Sequence, residues 1–356
     1  MVVVSVSLDR KSNIYLTGET ATLEVHVVND GKTKEILAWG SVQLTCDRTF
    51  GRRKAIDGVT STSISKSASN VFSSLPSVLF CDLELLPRQS KTFSCKVPIP
   101  LNGLPPSFKG QNIRYTNRIT VGVARIRSTV RLLYVPLRII SSIGIDTKIS
   151  HPLDPFIAQT SSEPTISELM ISAVDGMTAP RKPCVYSLTN ERGKISTLTL
   201  FKKVFRLGED IVGHMSFMDS VVRTIQFSSI LETVESISED IEGSIQYEPH
   251  ISIISRDETE CLSLVDTHFR LSIPMNYPPS FNNDQVHFKW RIRFELTITP
   301  ICDLEENEDD TSLYQAPLTL DIDRLSWSTD IFILPSSPYN ITLTDQTIYT
   351  SVCATI

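Results

Sequence analysis

The sequence predicts an all-β protein built from two tandem β-sandwich domains. Apolar and polar residues alternate along most of the 356-residue chain, as in strands with one buried face and one exposed face. Turn residues such as Gly, Pro and Asn separate these stretches, and only one stretch has helical spacing. A group of short motifs occurs once in each half of the chain, which indicates two copies of one domain.

Four segments show the strand pattern most clearly, and their apolar residues are predicted to face a core. These residues are Val2, Val4, Val6 and Leu8; Leu23, Val25 and Val27; Ile113, Tyr115, Ile119 and Val121; and Val286, Phe288, Trp290, Ile292 and Phe294. Polar residues stand between them, which is typical of half-buried antiparallel strands.

A single helix is predicted from about Pro164 to Val174, with Ser162 as its cap and Pro164 in its first turn. It lies within residues 147–183, which are otherwise rich in Ser, Thr and Pro. This segment is therefore predicted to be a linker between the two domains.

The predicted domains span residues 1–146 and 184–337. Residues 49–74 are predicted to be a flexible insertion in the first domain, because serine dominates their composition. Residues 303–310, with the sequence DLEENEDD, are predicted to form an acidic loop. Residues 338–356 are predicted to be a polar, weakly ordered tail.

Composition narrows the classes of function. The chain has 41% hydrophobic and 21% charged residues, which is ordinary for a globular protein. Its net charge of −6 disfavours a nucleic-acid-coating protein, because phosphate binding needs a basic surface. No apolar run approaches the roughly 18 residues of a membrane-spanning helix, and no signal peptide is recognised. The seven cysteines include no C-x-x-C pair, which favours reduced thiols in the cytosol.

Two motifs occur in both halves, and both are assigned a structural role. Glycine supplies a turn conformation that a Cβ would strain, whereas paired prolines hold an extended crossing that a phenylalanine anchors in the core. The first motif, aromatic-x-x-Gly-Glu, comprises Tyr15, Gly18 and Glu19, and again Phe205, Gly208 and Glu209. The second motif, Pro-Pro-Ser-Phe, comprises Pro105, Pro106 and Phe108, and again Pro278, Pro279 and Phe281.

Two tandem sandwiches with these motifs resemble the arrestin fold, whose domains are β-sandwiches of the immunoglobulin type. Longer stretches, such as PPSFKGQNIRYTNRITVG from Pro105 and YSLTNERGKISTLTLFKKVFRLGEDIVG from Tyr186, are more specific. They are similar to the reduced-growth-phenotype protein one family. The resemblance covers most of residues 1–140 and 184–337, and it lapses in the insertion, the linker and the tail.

The resemblance implies the smaller subunit of a two-subunit guanine-nucleotide exchange factor. Members of this family act with a larger subunit, of the ribosome-control-protein-one type, on a Rab-six-type GTPase at the Golgi. It therefore implies a cytosolic, non-catalytic scaffolding or regulatory subunit that is recruited peripherally to the Golgi membrane and supports retrograde transport. The resemblance assigns neither the face that binds the larger subunit nor a direct contact with the GTPase.

No complete catalytic, cofactor or metal motif is found. The stretch RGKIST fails as a phosphate loop, because Leu188 and Ile195 stand where a glycine and a Ser or Thr are needed. The acidic loop lacks the central glycine and the closing glutamate of a calcium loop. The six histidines include no pair at helical spacing. We therefore expect no catalytic residues, no cofactor and no metal.

Two basic clusters are candidates for contact with an anionic lipid surface or an acidic partner. Residues 52–54, with the sequence RRK, lie in the insertion. Arg125, Arg127 and Arg131 alternate along one predicted strand and form a candidate contact patch. Solvated side chains on an exposed sheet face are the simpler interpretation of both clusters.

An alternative function is an arrestin-like adaptor for cargo sorting or for a coat. Ubiquitin-ligase adaptors of this fold carry P-P-x-Y motifs in exposed tails, but both P-P-x segments here end in phenylalanine, at Phe108 and Phe281. A coat subunit remains compatible with the sequence. An enzyme is disfavoured, because no catalytic constellation was found.

Overall fold

The computed structural model describes residues 2–50, 68–126, 128–142, 165–179, 182–238, 248–300, 321–337 and 352–355. The chain divides into two compact units. The first unit comprises Met1–Ala173 and Pro335–Ile356, and the second comprises Val174–Leu334. Apart from one helix, every regular element among the described residues is a strand, so the prediction of an all-β protein is confirmed.

The first unit contains two sheets. Its strands are β1 (Val2–Leu8), β2 (Ile14–Leu16), β3 (Thr20–Asn29), β4 (Glu35–Phe50), β5 (Ser69–Ser73), β6 (Ser77–Leu85), β7 (Ser90–Pro98), β8 (Phe108–Lys109), β9 (Ile113–Arg125), β10 (Arg131–Ile140) and β21 (Val352–Thr355). The smaller sheet has the order β21-β1-β3-β7. The larger has the order β2-β10-β9-β4-β5, with β6 also on β4 and β8 on β9.

Alternation along these strands builds the core of the first unit. The residues predicted to face inward are buried, apart from Leu8, which is half-buried at the end of β1. Phe80 of the larger sheet contacts Phe93 of the smaller one, with 5.0 Å between ring centroids. The two sheets therefore pack face to face, as in a β-sandwich.

The second unit repeats this arrangement. Its strands are β11 (Cys184–Asn190), β12 (Gly193–Leu200), β13 (Val204–Arg206), β14 (Asp210–Ser216), β15 (Val222–Ile237), β16 (His250–Glu260), β17 (Asp266–Ser272), β18 (Phe281–Asn282), β19 (Val286–Pro300) and β20 (Asp323–Leu334). The smaller sheet has the order β11-β12-β14-β17. The larger has the order β13-β20-β19-β15-β16, with β18 on β19.

Aromatic side chains fill the core of the second unit. Phe269 of the smaller sheet packs edge-on against Phe294 of the larger sheet, with 5.4 Å between centroids. Phe227 stacks on Phe294 at 6.0 Å. All five inward-facing residues predicted on β19 are buried, and Trp290 is fully so.

The helix, α1, spans Ile166–Thr178 and therefore starts and ends later than predicted. Thr165 caps it in place of the predicted Ser162, which lies outside the described residues. The Glu168 N–H donates to the Thr165 hydroxyl at 3.3 Å, and the Thr165 N–H donates to the Glu168 carboxylate at 2.8 Å. This reciprocal capping box needs a glutamate three residues after the cap, and Thr165 has one whereas Ser162 does not.

Parts of the predicted insertion and tail are strands. Thr49 and Phe50 end β4, and β5 lies at the other end of the insertion; residues 51–67 lie outside the described residues. In the tail, residues 352–355 form β21, which pairs antiparallel with β1. The unpaired backbone groups along an edge strand explain why such a segment can add there. The acidic loop 303–310 lies outside the described residues, and the domain limits stay predictions.

A glycine in the second unit supports a specific test of the packing. An ideal Cβ at Gly213 would lie 2.3 Å from the Phe269 ring and 3.1 Å from the Thr199 carbonyl oxygen. We expect Gly213→Ala to lower the free energy of unfolding by about 1–3 kcal/mol, because a packed core does not accept the extra methyl group. The measurement is the midpoint of urea denaturation.

The matched control is Gly176→Ala in α1, where no atom lies within 4 Å of an added Cβ. This variant should be neutral or more stable by up to about 1 kcal/mol, because alanine favours helix. Equal midpoints for the two variants would show that the close approach at Gly213 is not real.

Candidate interaction surface

The first Gly-Glu motif forms a corner between β2 and the end of β7. Gly18, with φ of 92°, donates its N–H to the Ile99 carbonyl at 2.9 Å, and the Ile99 N–H donates to the Glu19 carbonyl at 2.9 Å. The Glu19 carboxylate accepts from the Leu16 N–H at 2.8 Å and from two guanidinium nitrogens of Arg10 at 2.7 and 2.9 Å. One largely buried carboxylate therefore ties the turn to a neighbouring cation.

The second motif forms the same corner between β13 and the end of β17. Gly208, with φ of 84°, donates to the Ile273 carbonyl at 3.0 Å, and Ile273 donates to the Glu209 carbonyl at 2.9 Å. The Glu209 carboxylate accepts from the Arg206 N–H at 3.0 Å. Lys202 takes the place of the arginine, and its Nζ lies 2.9 Å from both carboxylate oxygens.

The aromatic residue of each motif anchors its corner in the core. Tyr15 and Phe205 are almost fully buried, and the cation of each corner lies over the ring. The distance to the ring centroid is 4.8 Å for Arg10 and 5.1 Å for Lys202. Burial, together with a hydrogen bond to Asp9, raises the pKa of the Tyr15 hydroxyl well above its ordinary value.

Serine makes the most specific contacts of the Pro-Pro-Ser-Phe motif, which sequence reasoning missed. In the first unit, Ser107 donates its N–H to the Ile139 carbonyl at 2.8 Å and accepts from the Ile139 N–H through its hydroxyl at 2.9 Å. In the second, Ser280 makes the same two bonds to Ile333, at 2.8 and 2.9 Å. The presence of serine at the same position in both copies of the motif was the available clue.

The prolines and phenylalanines of this motif lie where the chain crosses to the next strand. Phe108 and Phe281 are buried and are the first residues of β8 and β18. In both units, a side chain of the long strand (β9 or β19) donates a hydrogen bond to the carbonyl of the first proline. The donor residues differ. Asn117 donates to Pro105 at 3.0 Å, and the indole N–H of Trp290 donates to Pro278 at 3.1 Å.

The predicted basic patch does not lie along one strand. Arg125 is the last residue of β9 and Arg131 is the first of β10, because the chain reverses between them. Arg125 forms an ion pair with Glu35, and Arg131 is exposed. Arg127 and the basic residues 52–54 lie outside the described residues.

An exposed apolar cluster lies on part of the outer face of the larger sheet in the first unit. Trp39 of β4 and Leu132 of β10 lie on either side of Gly122 of β9. A Cβ added at Gly122 would be 3.5 Å from Trp39 and 3.4 Å from Leu132. In the strand register, Leu132, Gly122, Ser41 and Val78 lie side by side on four strands.

Tyr134 extends this cluster along β10. The ring lies under the Arg118 guanidinium, 4.3 Å from ring centroid to Cζ, and Arg118 is ion-paired with Asp47. We call Trp39, Val78, Leu132 and Tyr134 the apolar face; their exposed fractions are 38%, 68%, 49% and 44%. Outer faces of antiparallel sheets are usually polar, so this composition is typical of a protein-binding surface.

The described residues contain no group of three or more His, Cys, Asp or Glu side chains placed to hold a metal ion. No helix within the described ranges is long and apolar enough to cross a membrane. The sequence RGKIST begins at Arg192, in the turn between β11 and β12. Its glycine, Gly193, is the first residue of β12 and has a φ of 125°.

The glutamate of the first corner supports a stability test. Glu19 is 8% exposed, and we expect Glu19→Gln to lower the free energy of unfolding by about 2 kcal/mol, because charge-assisted hydrogen bonds are lost. The measurement is urea denaturation. Glu84→Gln is the control, since its ion pair with Lys34 is exposed and should contribute less than about 1 kcal/mol. If both variants lost the same free energy of unfolding, Glu19 would contribute no more to stability than an exposed ion pair.

Cysteine reactivity provides a second test. Burial raises the pKa of the Cys46 thiol to about 12 and that of Cys261 to about 11, whereas Cys81 and Cys353 are exposed. The thiolate is the nucleophile, so iodoacetamide at about pH 8 should modify Cys81 and Cys353 before Cys46 and Cys261. Peptide mass spectrometry over time measures this order. Modification of Cys46 as fast as Cys81 would contradict the structure.

Comparison with known proteins agrees with the resemblance drawn from the sequence. The Rgp1 family model matches residues 7–170 and 159–299. The chain is 30% identical to RAB6A-GEF complex partner protein 2 of Homo sapiens over 367 residues, covering 91% of this chain and 93% of that protein. It is 29% identical to the protein of the same name from Bos taurus over 368 residues, covering 92% of each chain. The family match extends over both units, and this chain therefore belongs to the Rgp1 family.

Proposed function

We propose that this chain is the smaller, non-catalytic subunit of a two-subunit exchange factor for a Rab-six-type GTPase. The observation that carries the proposal is the similarity to proteins named RAB6A-GEF complex partner protein 2, which extends over about nine tenths of both chains. The larger subunit is of the ribosome-control-protein-one type. In this role the chain scaffolds or regulates its partner.

The structure of each unit suits a protein that works by binding. An exchange factor stabilises the nucleotide-free GTPase through a shaped contact surface and needs no nucleophile. The buried polar groups at the corners serve the turns themselves, and the apolar face offers a contact surface without a reactive centre. The proposed complex is recruited from the cytosol to the Golgi membrane, where it supports retrograde transport.

Nucleotide release from the GTPase tests the division of labour. With a Rab-six-type GTPase loaded with fluorescent GDP, this chain alone should leave the spontaneous release rate unchanged. The complex of both subunits should accelerate release, and an unrelated Rab GTPase should not respond. Full activity of the isolated chain would contradict a non-catalytic role. Absence of acceleration by the complex would contradict the proposed function as a whole.

Affinity purification separates this function from that of a cargo or coat adaptor. The native chain should recover a stoichiometric larger subunit of the exchange-factor type. Recovery of receptor tails or coat subunits in its place would favour the adaptor.

A further inference from the structure

In the smaller sheet of the first unit, β21 covers the edge of β1. Strand β1 has the sequence VVVSVSL, with no charged residue and no proline. Short strands of this composition pair readily with other strands when their backbone is exposed. At the opposite edge of the same sheet, β7 carries the exposed Lys91 and Lys96, and such charges oppose pairing. The edge of β1 therefore depends on β21 for its protection.

The hydrogen bonds of β1 indicate which of its residues face β21. Asp9, directly after β1, donates its N–H to the Thr22 carbonyl of β3 at 3.0 Å. Along an antiparallel strand, the backbone groups of successive residues point to opposite sides. The odd-numbered residues of β1 therefore face β3, and Val4 and Val6 face β21. Their partners in β21 are Ala354 and Val352, respectively.

Strand β1 is also complementary to a second copy of itself. In an antiparallel pair centred on Ser5, Val4 of each copy lies opposite Val6 of the other. Each such pair exchanges both of its N–H···O bonds, as a pair with β21 does. Even-numbered residues then lie opposite even-numbered ones, so the buried valines of both copies stay on one face of the joined sheet. One register thus satisfies the backbone groups and the side-chain faces together.

The second unit shows a more firmly attached cover at the equivalent place. Strand β12 is equivalent to β1, because each leads into the cation of its corner, and β11 lies beside it as β21 lies beside β1. Residues 191–192 alone separate β11 from β12, whereas residues 335–351 separate β20 from β21. In β11, Tyr186 packs against Trp327 of the larger sheet, with 4.8 Å between ring centroids.

The cover in the first unit has less apolar contact with its sheet. Val352 lies opposite Val6 as Tyr186 lies opposite Leu198, so a valine takes the place of the tyrosine. Val352 and Ala354 are only half-buried. Segments with few buried apolar contacts open at a low cost in free energy, and a long connection opposes their return. We therefore expect β21 to leave its edge more readily than β11 does.

We propose that the edge of β1 is a pairing surface for β1 of a second copy of this chain, and that β21 covers this surface. This inference does not depend on the proposed function. A second copy is the favoured occupant because β1 is self-complementary in the direction of its backbone groups and in its buried face. The contact has two-fold symmetry and closes after two copies, so it produces a dimer.

Proline substitution in β21 tests the cover. Ala354→Pro removes the N–H that faces Val4 and places a ring in the ladder. Cys353→Pro is the matched control, because the N–H of this residue points away from β1 and proline is tolerated on the outer side of an edge strand. In dilute protein, Ala354→Pro should accelerate amide hydrogen exchange of Val4 and Val6 at least about tenfold, because opening exposes them. The control should exchange at the wild-type rate.

Sedimentation velocity tests the pairing of two copies. As the protein concentration rises, Ala354→Pro should change from monomer to dimer, and Val4 and Val6 should regain protection from exchange. The wild type and Cys353→Pro should stay monomeric over the same range. Adding Ser5→Lys to Ala354→Pro should restore the monomer, because two lysines would then face each other across the axis. Adding Ser5→Thr, which introduces no charge, should leave the dimer intact.

Each other outcome contradicts a defined part of the inference. Unchanged exchange of Val4 and Val6 in Ala354→Pro, or a wild type that dimerises equally well, would show that β21 is not a cover. Faster exchange without a dimer would exclude the second copy. If this monomer then bound the purified larger subunit more tightly than the wild type does, the edge would belong to a strand of that subunit. A dimer that persists with Ser5→Lys would not be formed through β1. Nucleotide release tests the proposed function separately.

Discussion

The arrangement of strands depends on the hydrogen bonds of one glutamate in each corner, Glu19, which is buried, and Glu209, which is half-buried. Glu19 holds the turn after β2 and binds Arg10, while the backbone of the same turn pairs with the end of β7. Strand β2 in turn pairs in parallel with β10, and the Thr17 N–H donates to Ile140 at 3.0 Å. The corner thus joins the end of a strand in one sheet to the edge of the other. Because β10 carries half of the apolar face, the corner also positions that face.

The larger sheets of the two units have the same order of strands but different residues on their outer faces. In the second unit, the buried carboxylate of Glu232 accepts from Arg291 at 2.8 Å and from Arg293 at 2.7 Å, so much of the charge on that face is paired within the unit. In the first unit, Arg118 of β9 lies opposite Thr45 of β4, and its carboxylate partner is Asp47. The first face therefore combines exposed apolar residues with one ion-paired arginine, Arg118, over Tyr134.

Alternation with a period of two determined much of the fold in advance, because side-chain direction along a strand is a local property. It placed Val25, Ile119 and Trp290 in cores, and the repeated motifs indicated two related units. The same local reasoning misplaced Arg125 and Arg131 on one strand, since a reversal between them has no strong turn sequence. It also missed β21, because a four-residue strand forms only when the edge of β1 is available to pair with it.

The all-β class, the duplication, the faces of the longest strands and the family resemblance could all be predicted from the sequence. Which exposed residues lie near one another follows only from the tertiary structure. Trp39 and Leu132 are far apart in the chain, and each alone is an ordinary exposed apolar residue. They meet because β9 pairs with β4 on one side and with β10 on the other, leaving Gly122 between them. Strand order arises from long-range hydrogen bonding and burial, which no local pattern encodes.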